Sequence, residues 1–218
     1  MAVRPRARAA RAPSRRARPR ATYHHGDLRR ELVRVALALV DEGQGDSFTL
    51  REAARRVGVN HRAVYHHFAD KRELLAAIAI EGYEQLAAAM HAAVADLPPT
   101  PVTDRLLAVA AAYVRFAHEH PAHYRVMFGP RLNRDGRFPT IEAALQQSID
   151  LVGRELSAGF ATGELAPRDT FQATLSLWAA LHGVAQLILD RRIQVRPALI
   201  PRYAAELVRP MILGLAAG

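Results

Sequence analysis

The chain has 218 residues, half of them hydrophobic, with 30 lysines and arginines against 21 acids for a formal charge of +9. That length and apolar content suffice for a small unit joined to a larger domain with a sizeable helical core, and no strand pattern competes. The chain has no cysteine, which excludes disulfides and thiolate metal sites. There is no unbroken apolar run of about 18 residues, so the expectation is a soluble intracellular protein without a membrane partner.

The charge is unevenly placed. Residues 1 to 20 hold eight arginines and no acid, residues 21 to 75 hold nine bases and eight acids, and the remainder holds 13 of each. A stretch of arginine alternating with alanine and proline, without an apolar stripe, cannot bury enough surface to fold, so residues 1 to 21 read as a disordered tail. Its charge suits salt-dependent contact with nucleic-acid phosphates or a narrow minor groove.

Leu28, Leu32, Val35 and Leu39 then form the inward stripe of a first helix, with Asp27 as its cap and Gly43 to Gly45 as its exit. Thr49 can cap a second helix whose apolar face is Leu50, Ala53, Ala54 and Val57, leaving Arg51, Arg55 and Arg56 outside, and Gly58 stops it in the left-handed conformation. Asn60 caps a third helix on which Ala63, Val64 and Phe68 recur at helical spacing, so that His61, Arg62, Tyr65, His66 and His67 face a partner. Two short helices about a glycine turn fit the major groove of DNA. A fourth helix starts near Asp70 and runs towards Leu97, ending before Pro98 and Pro99, with Gly82 permitting a bend.

Thr49, Ala53, Ala54, Val57, Gly58, Val59, Asn60, Val64, Tyr65, His67, Phe68, Lys71 and Leu74 together match the helix-turn-helix pattern of the tetracycline-repressor (TetR) family at its fixed spacing. The segment resembles that family's N-terminal domain. It departs at Asn60, where the family often has serine, and at Arg62, where it commonly has a small residue. The resemblance implies that Thr49, Tyr65 and Lys71 hold phosphates, which suits a hydroxyl at a helix start, a phenol beside the groove and a cation at the next helix N-terminus. Arg62 has the chemistry to pair bidentately with guanine, and His61 or His66 to donate to or accept from a base edge. His67 either packs locally or reaches DNA. Lys71 is the only lysine in the chain.

In the larger unit, Leu106, Val109, Ala110, Tyr113 and Phe116 mark a helix closed by Pro121, and a short helix from Ala122 to Phe128 follows. Residues 129 to 137 read as a polar loop, and a long helix spans Pro139 to Phe160. From Pro167 to about Arg192 a helix is apolar on two faces, with Phe171, Leu175, Trp178, Ala185 and Leu189 on one and Leu177, Leu181, Val184 and Ile188 on the other. Two faces imply two partners. The last helix, Leu199 to Ala217, carries Pro201 near its start and Pro210 inside, where a kink is expected.

These last two helices resemble the family's four-helix dimerisation element, and Trp178, His182 and Gly183 match the Trp-x-x-x-His-Gly signature of one C-terminal subclass. The interface is expected at Trp178, His182, Gly183, Leu187, Tyr203 and Leu207. A two-fold dimer sets its reading helices one DNA turn apart and implies a near-palindromic operator. The expected architecture is all-α: a tail at 1 to 21, a three-helix DNA-binding head at 22 to 70, and a regulatory and dimerisation body at 71 to 218. The resemblance further implies a cytoplasmic repressor released by a small-molecule effector. Tyr113, Phe116, His123, Tyr124, Met127, Phe128 and Trp178 are the candidate lining of its pocket.

The rival reading is a helical small-molecule- or metal-binding protein with a vestigial head. Its warrant is the grouping of His118, His120 and His123 about Pro121, and of His61, His66 and His67. Neither group has good ligand spacing, and no nucleophile elbow, phosphate loop or paired-carboxylate motif marks an enzyme. No cofactor and no metal are therefore expected.

Overall fold

A computed structural model of the chain describes residues 25–44, 47–95, 97–129 and 132–215. The arginine tail expected at 1 to 21 and the Gly45 exit lie outside the described residues. Among those residues the regular structure is helical throughout, as the all-α reading requires.

Helix α1, His25–Leu39, buries Leu28, Leu32, Val35 and Leu39. It begins two residues before Asp27, so Asp27 lies in the first turn rather than at the cap. The segment Val40–Gln44 leads out through a kink at Gly43, whose φ of 83° interrupts the helical run as expected of an exit glycine. Helix α2, Leu50–Val57, starts where the Glu52 N–H donates to Thr49 Oγ1 at 3.2 Å and stops at Gly58, whose φ of 79° favours a residue without Cβ. Helix α3, His61–Tyr65, starts where the Arg62 N–H donates to Asn60 Oδ1 at 2.9 Å. It does not reach Phe68. The N–H groups of His67 and Phe68 both converge on the Val64 carbonyl, which ends the helical ladder, and Phe68 enters the core from the turn beyond.

Helix α4, Lys71–Ala95, is held at its start by a reciprocal cap: the Glu73 N–H donates to Asp70 Oδ1 at 2.9 Å, and the Ala69 N–H to Glu73 Oε2 at 2.7 Å. It packs against α1 on the head side and against α5, Val102–Glu119, α6, Pro121–Met127, and α7, Pro139–Thr162, in the body. Gly82 serves close approach to α6, because a Cβ there would meet Met127 Sδ at 2.5 Å.

Helix α5 is the axis of the body. It packs against α4, α7, α8 (Thr170–Leu189) and α9 (Ile200–Leu213), and Arg105 makes a bidentate ion pair with the buried carboxylate of Glu155 on α7, at 2.7 and 2.6 Å. Helix α7 passes through Gly159 to Thr162 before turning, two residues beyond the expected end. Helix α8 is shorter than expected, because Asp169 caps it by accepting the Gln172 N–H at 2.7 Å. One face of α8 is buried through Ala173, Thr174, Leu177, Leu181, Ala185 and Ile188. Ala185 thus belongs with Leu177 and Leu181, whereas Phe171 and Leu175 stand exposed, Phe171 at 74 %. By length and composition alone α8 could cross a membrane, yet its inner face packs as that of a core helix. A short 3-10 turn, Pro197–Leu199, precedes α9, which continues as helix through Pro210 for one further turn.

Candidate nucleic-acid interface

Helix α3 offers the head's candidate reading surface. Val64 is buried and Ala63 packs partly on the core, while His61, Arg62, Tyr65 and His66 are exposed, Tyr65 at 50 %. Caps at Thr49 and Asn60 and the turn at Gly58 fix this helix against α2. His67 is half-buried. The hydroxyl of Thr49 accepts from the backbone and keeps its own hydrogen for a further acceptor. Lys71 is half-buried at the start of α4, its ammonium 4.7 Å from the centre of the Phe48 ring.

Two arginines of the head have other work. The Arg56 guanidinium bonds both oxygens of Glu42, at 2.5 and 2.6 Å, and Arg55 bonds both of Glu52, which holds the two carboxyls below their usual range. The Arg56–Glu42 pair knits α2 to the segment after α1 and the Arg55–Glu52 pair lies along α2 itself, whereas α3 carries arginine without an acid of its own.

The seam between head and body has a feature the sequence did not reveal. Residues 132 to 138, which take in most of the polar loop expected at 129 to 137 and add Phe138, are a clamp on the start of α4. Arg72 bonds both oxygens of Asp135, at 3.0 and 2.8 Å, and the Leu132 carbonyl at 2.6 Å, and Arg137 pairs with Asp70. Arg72 and Arg137 both lie over the Phe138 ring. The Arg72 guanidinium holds the Asp135 carboxyl down to about 2. Buried Asn133 fastens the loop by accepting the Phe138 N–H at 2.6 Å. No local periodicity encodes this, because Arg72 and Asp135 are 63 residues apart.

In the body the aromatic candidates divide. The Tyr124 hydroxyl lies 2.7 Å from His182 Nδ1 and 3.2 Å from the Tyr113 hydroxyl. Burial pushes both phenols up and the His182 imidazole down from its ordinary 6.5, so the three groups form a chain of neutral hydrogen-bonding partners. Phe128 packs on Tyr124, Trp178 and His182. Tyr113, Phe128 and Trp178 line a narrow apolar slot between α4, α5, α7 and α8. Phe116 lies outside it, stacked on His120. Tyr124 stands behind Tyr113, Met127 lines a separate cleft with Tyr83, and His123 is buried with Nε2 3.4 Å from Glu81 Oε1. Among the described residues no group of three or more His, Asp or Glu side chains is placed to hold a metal ion.

Of the expected interface residues, Leu187, Tyr203 and Leu207 are exposed on α8 and α9, and nothing lies within 4 Å of a Cβ placed on Gly183. Trp178 and His182 instead are half-buried and turn inward to the aromatic cluster.

The family model described as bacterial regulatory proteins, tetR family, matches residues 32–78, and that of the tetracyclin repressor-like C-terminal domain matches residues 106–211. An uncharacterized HTH-type transcriptional regulator of Mycobacterium tuberculosis is 30% identical over 183 residues, spanning 81% of this chain and 80% of its own. The chain belongs to the tetR family. Its architecture matches a Rhodococcus sp. RHA1 protein of unknown function, with 31% identity and a TM-score of 0.76 over 90% of this chain and 100% of that one. A second Rhodococcus RHA1 structure, a bacterial regulatory protein in the tetR family, shares the fold at 24% identity and a TM-score of 0.71, over 88% and 98% of the two chains. The tetR family is one of transcriptional regulators, and this chain carries both of its parts, the helix-turn-helix head and the helical body.

Proposed function

We propose that two copies of this chain bind a near-palindromic operator and let go of it when a small molecule occupies the body. The head, residues 22 to 70, reads DNA through α3: Arg62 on a guanine, with His61 and His66 on neighbouring base edges. Thr49, Tyr65 and Lys71 hold phosphates. Asn60 and Ala63 set the helix in the groove, and His67 supports it from the core side. The body, residues 71 to 218, pairs through Leu187, Tyr203 and Leu207 with Gly183 between them, while Trp178 and His182 brace that face from within. Tyr113, Phe128 and Trp178 belong to the effector site. Tyr124 backs that site through Tyr113 and Phe128, while Phe116, His123 and Met127 lie outside its lining. Such a dimer acts in the cytoplasm, most simply as a repressor, and the arginines of residues 1 to 20 add non-specific phosphate contacts.

The observation that carries this reading is α3 itself: His61, Arg62, Tyr65 and His66 stand exposed together on a helix capped at Asn60 and seated on a buried Val64. Selection of bound duplexes from a random library by the full-length chain is the test. A palindrome with half-sites about one helical turn apart is expected, and enrichment of no sequence overturns the reading. On the selected operator Arg62→Ala should relax preference at one base pair by about 1–3 kcal/mol. Lys71→Ala should weaken every sequence alike and lower the salt slope by about one. The opposite pattern would reverse the two assignments.

A further inference from the structure

Among the described residues two buried polar atoms of the body have no hydrogen-bond partner: His123 Nε2, which still faces the Glu81 carboxylate at 3.4 Å, and the Ser148 hydroxyl, which faces no charge. Ser148, on α7, is 5 % exposed, and its hydroxyl has no hydrogen-bond partner. It lines the apolar slot, whose walls are Leu86 and Met90 of α4, Val152 of α7, and Trp178 and Leu181 of α8. The other hydroxyls in that lining are committed: Thr174 donates to the Thr170 carbonyl at 2.7 Å, and Tyr113 lies 3.2 Å from Tyr124. No charged side chain lines the slot.

We infer that this slot is the seat of a neutral, largely apolar effector, anchored through a single hydroxyl or carbonyl to Ser148. The inference rests on the body being regulatory and adds the ligand's chemical class and its polar anchor.

An unpartnered buried hydroxyl costs free energy and calls for an explanation. Water is a poor one, since a buried water needs several polar partners and this lining offers one uncommitted hydroxyl. The slot of about 10 Å³ is also too small for more than one water, so a ligand must part the helices. Helix α7 is the wall suited to move. Ile149 and Thr174 line both the slot and an outer groove of about 520 Å³ between α7 and α8, and Leu145 lines both the slot and a cleft of about 270 Å³. The α7–α8 seam is thin at Gly153, where a Cβ would touch only Thr174 Oγ1.

Charge decides the class. A carboxylate in this lining would lose its water with no cation to replace it, whereas an alcohol or ketone loses little and gains Ser148. Burial keeps the Tyr113 phenol protonated, so the wall stays neutral as well. Helix α7 begins at Phe138 and Pro139, the end of the clamp on α4, so a ligand that displaces α7 acts on the same structure that holds the head.

Trp178 is the only tryptophan in the chain, so its emission reports on the slot. Full-length protein is titrated with 1-decanol, decanoate and decane, none of which absorbs where tryptophan does. Decanol should change the emission saturably, and decanoate should bind at least about tenfold more weakly. Ser148→Ala should weaken decanol about three- to tenfold, leave decane unchanged, and raise the melting temperature of the free protein by about 2–4 °C by removing the stranded hydroxyl. Equal or tighter binding of decanoate, no saturable response to decanol, or decanol binding indifferent to Ser148→Ala would each overturn the inference. The duplex selection, run on the same protein, separates the two readings. A selected palindrome without a decanol response sinks only the ligand class, and a decanol response without a selected sequence sinks only the operator reading.

Discussion

Gly82 and His182 show how little of a residue's task is written in its own neighbourhood of the chain. A glycine inside a 25-residue helix weakens it, and alanine there should help by about 1 kcal/mol on propensity alone. Against that, the added Cβ would sit 2.5 Å from Met127 Sδ, and overpacking of this kind costs about 1–3 kcal/mol. Gly82→Ala should therefore be destabilising in chemical denaturation, and combination with Met127→Ala should lose less than the sum of the single changes by about 1 kcal/mol. Strict additivity would show that the contact is not the reason for the glycine. His182 and His123 are both held below 6.5, chiefly by burial, with Glu81 opposing the shift at His123. The unfolded chain takes up these protons first as pH falls, so stability is complete above about pH 6.5 and declines below it. The melting temperature should be flat from about pH 8 to 7 and fall from about pH 7 to 5, with a smaller fall in His182→Asn. An unchanged slope in that variant would mean that His182 is protonated in the folded state too.

At the scale of elements, the clamp of residues 132 to 138 is a set of partly exposed ion pairs, so its worth lies in order rather than in global stability. Arg72→Ala should cost about 1 kcal/mol or less on unfolding. It should nevertheless speed amide exchange through residues 132 to 138 several-fold, while α2 exchanges as before; uniform exchange across both segments would refute a local role. What could be read in advance follows the same division between near and far. The caps at Thr49 and Asn60 and the stop at Gly58 involve atoms two to four residues apart, and residue type alone announces them. The inward stripe of α1 and the two-faced pattern of α8 were also legible, although periodicity put Ala185 on the outer face because alanine marks neither side strongly. The end of α3, the clamp and the stranded hydroxyl of Ser148 were not legible. A histidine pair does not signal the end of a helix, and the partners of Arg72 lie 60 and 63 residues away. A serine on a long helix reads as solvated until the helices around it are placed.

Among the described residues, most of the exposed large apolar side chains lie on α8 and α9. Phe171, Leu175 and Leu187 of α8, with Tyr203, Leu207 and Leu213 of α9, are all at least 37 % exposed. In the dimer proposed above, a second copy covers these side chains. Leu187→Arg with Leu207→Arg, residues 43 % and 42 % exposed and outside the folded core, should leave the fold intact and yield a monomer in sedimentation. Operator affinity should fall by at least about 100-fold, since each head then binds alone; a double variant that still sediments as a dimer would place the interface elsewhere. The placing of Lys71 has a practical consequence of another kind. It is the chain's only lysine, so each copy carries a single side-chain primary amine, set against Phe48 at the first turn of α4. Reductive methylation with isotopic formaldehyde keeps the charge and installs one side-chain reporter, shifted by the Phe48 ring current and distinct from the α-amine. The chemistry of amine labelling thus provides a one-signal spectroscopic view of whether the head is resting on nucleic acid.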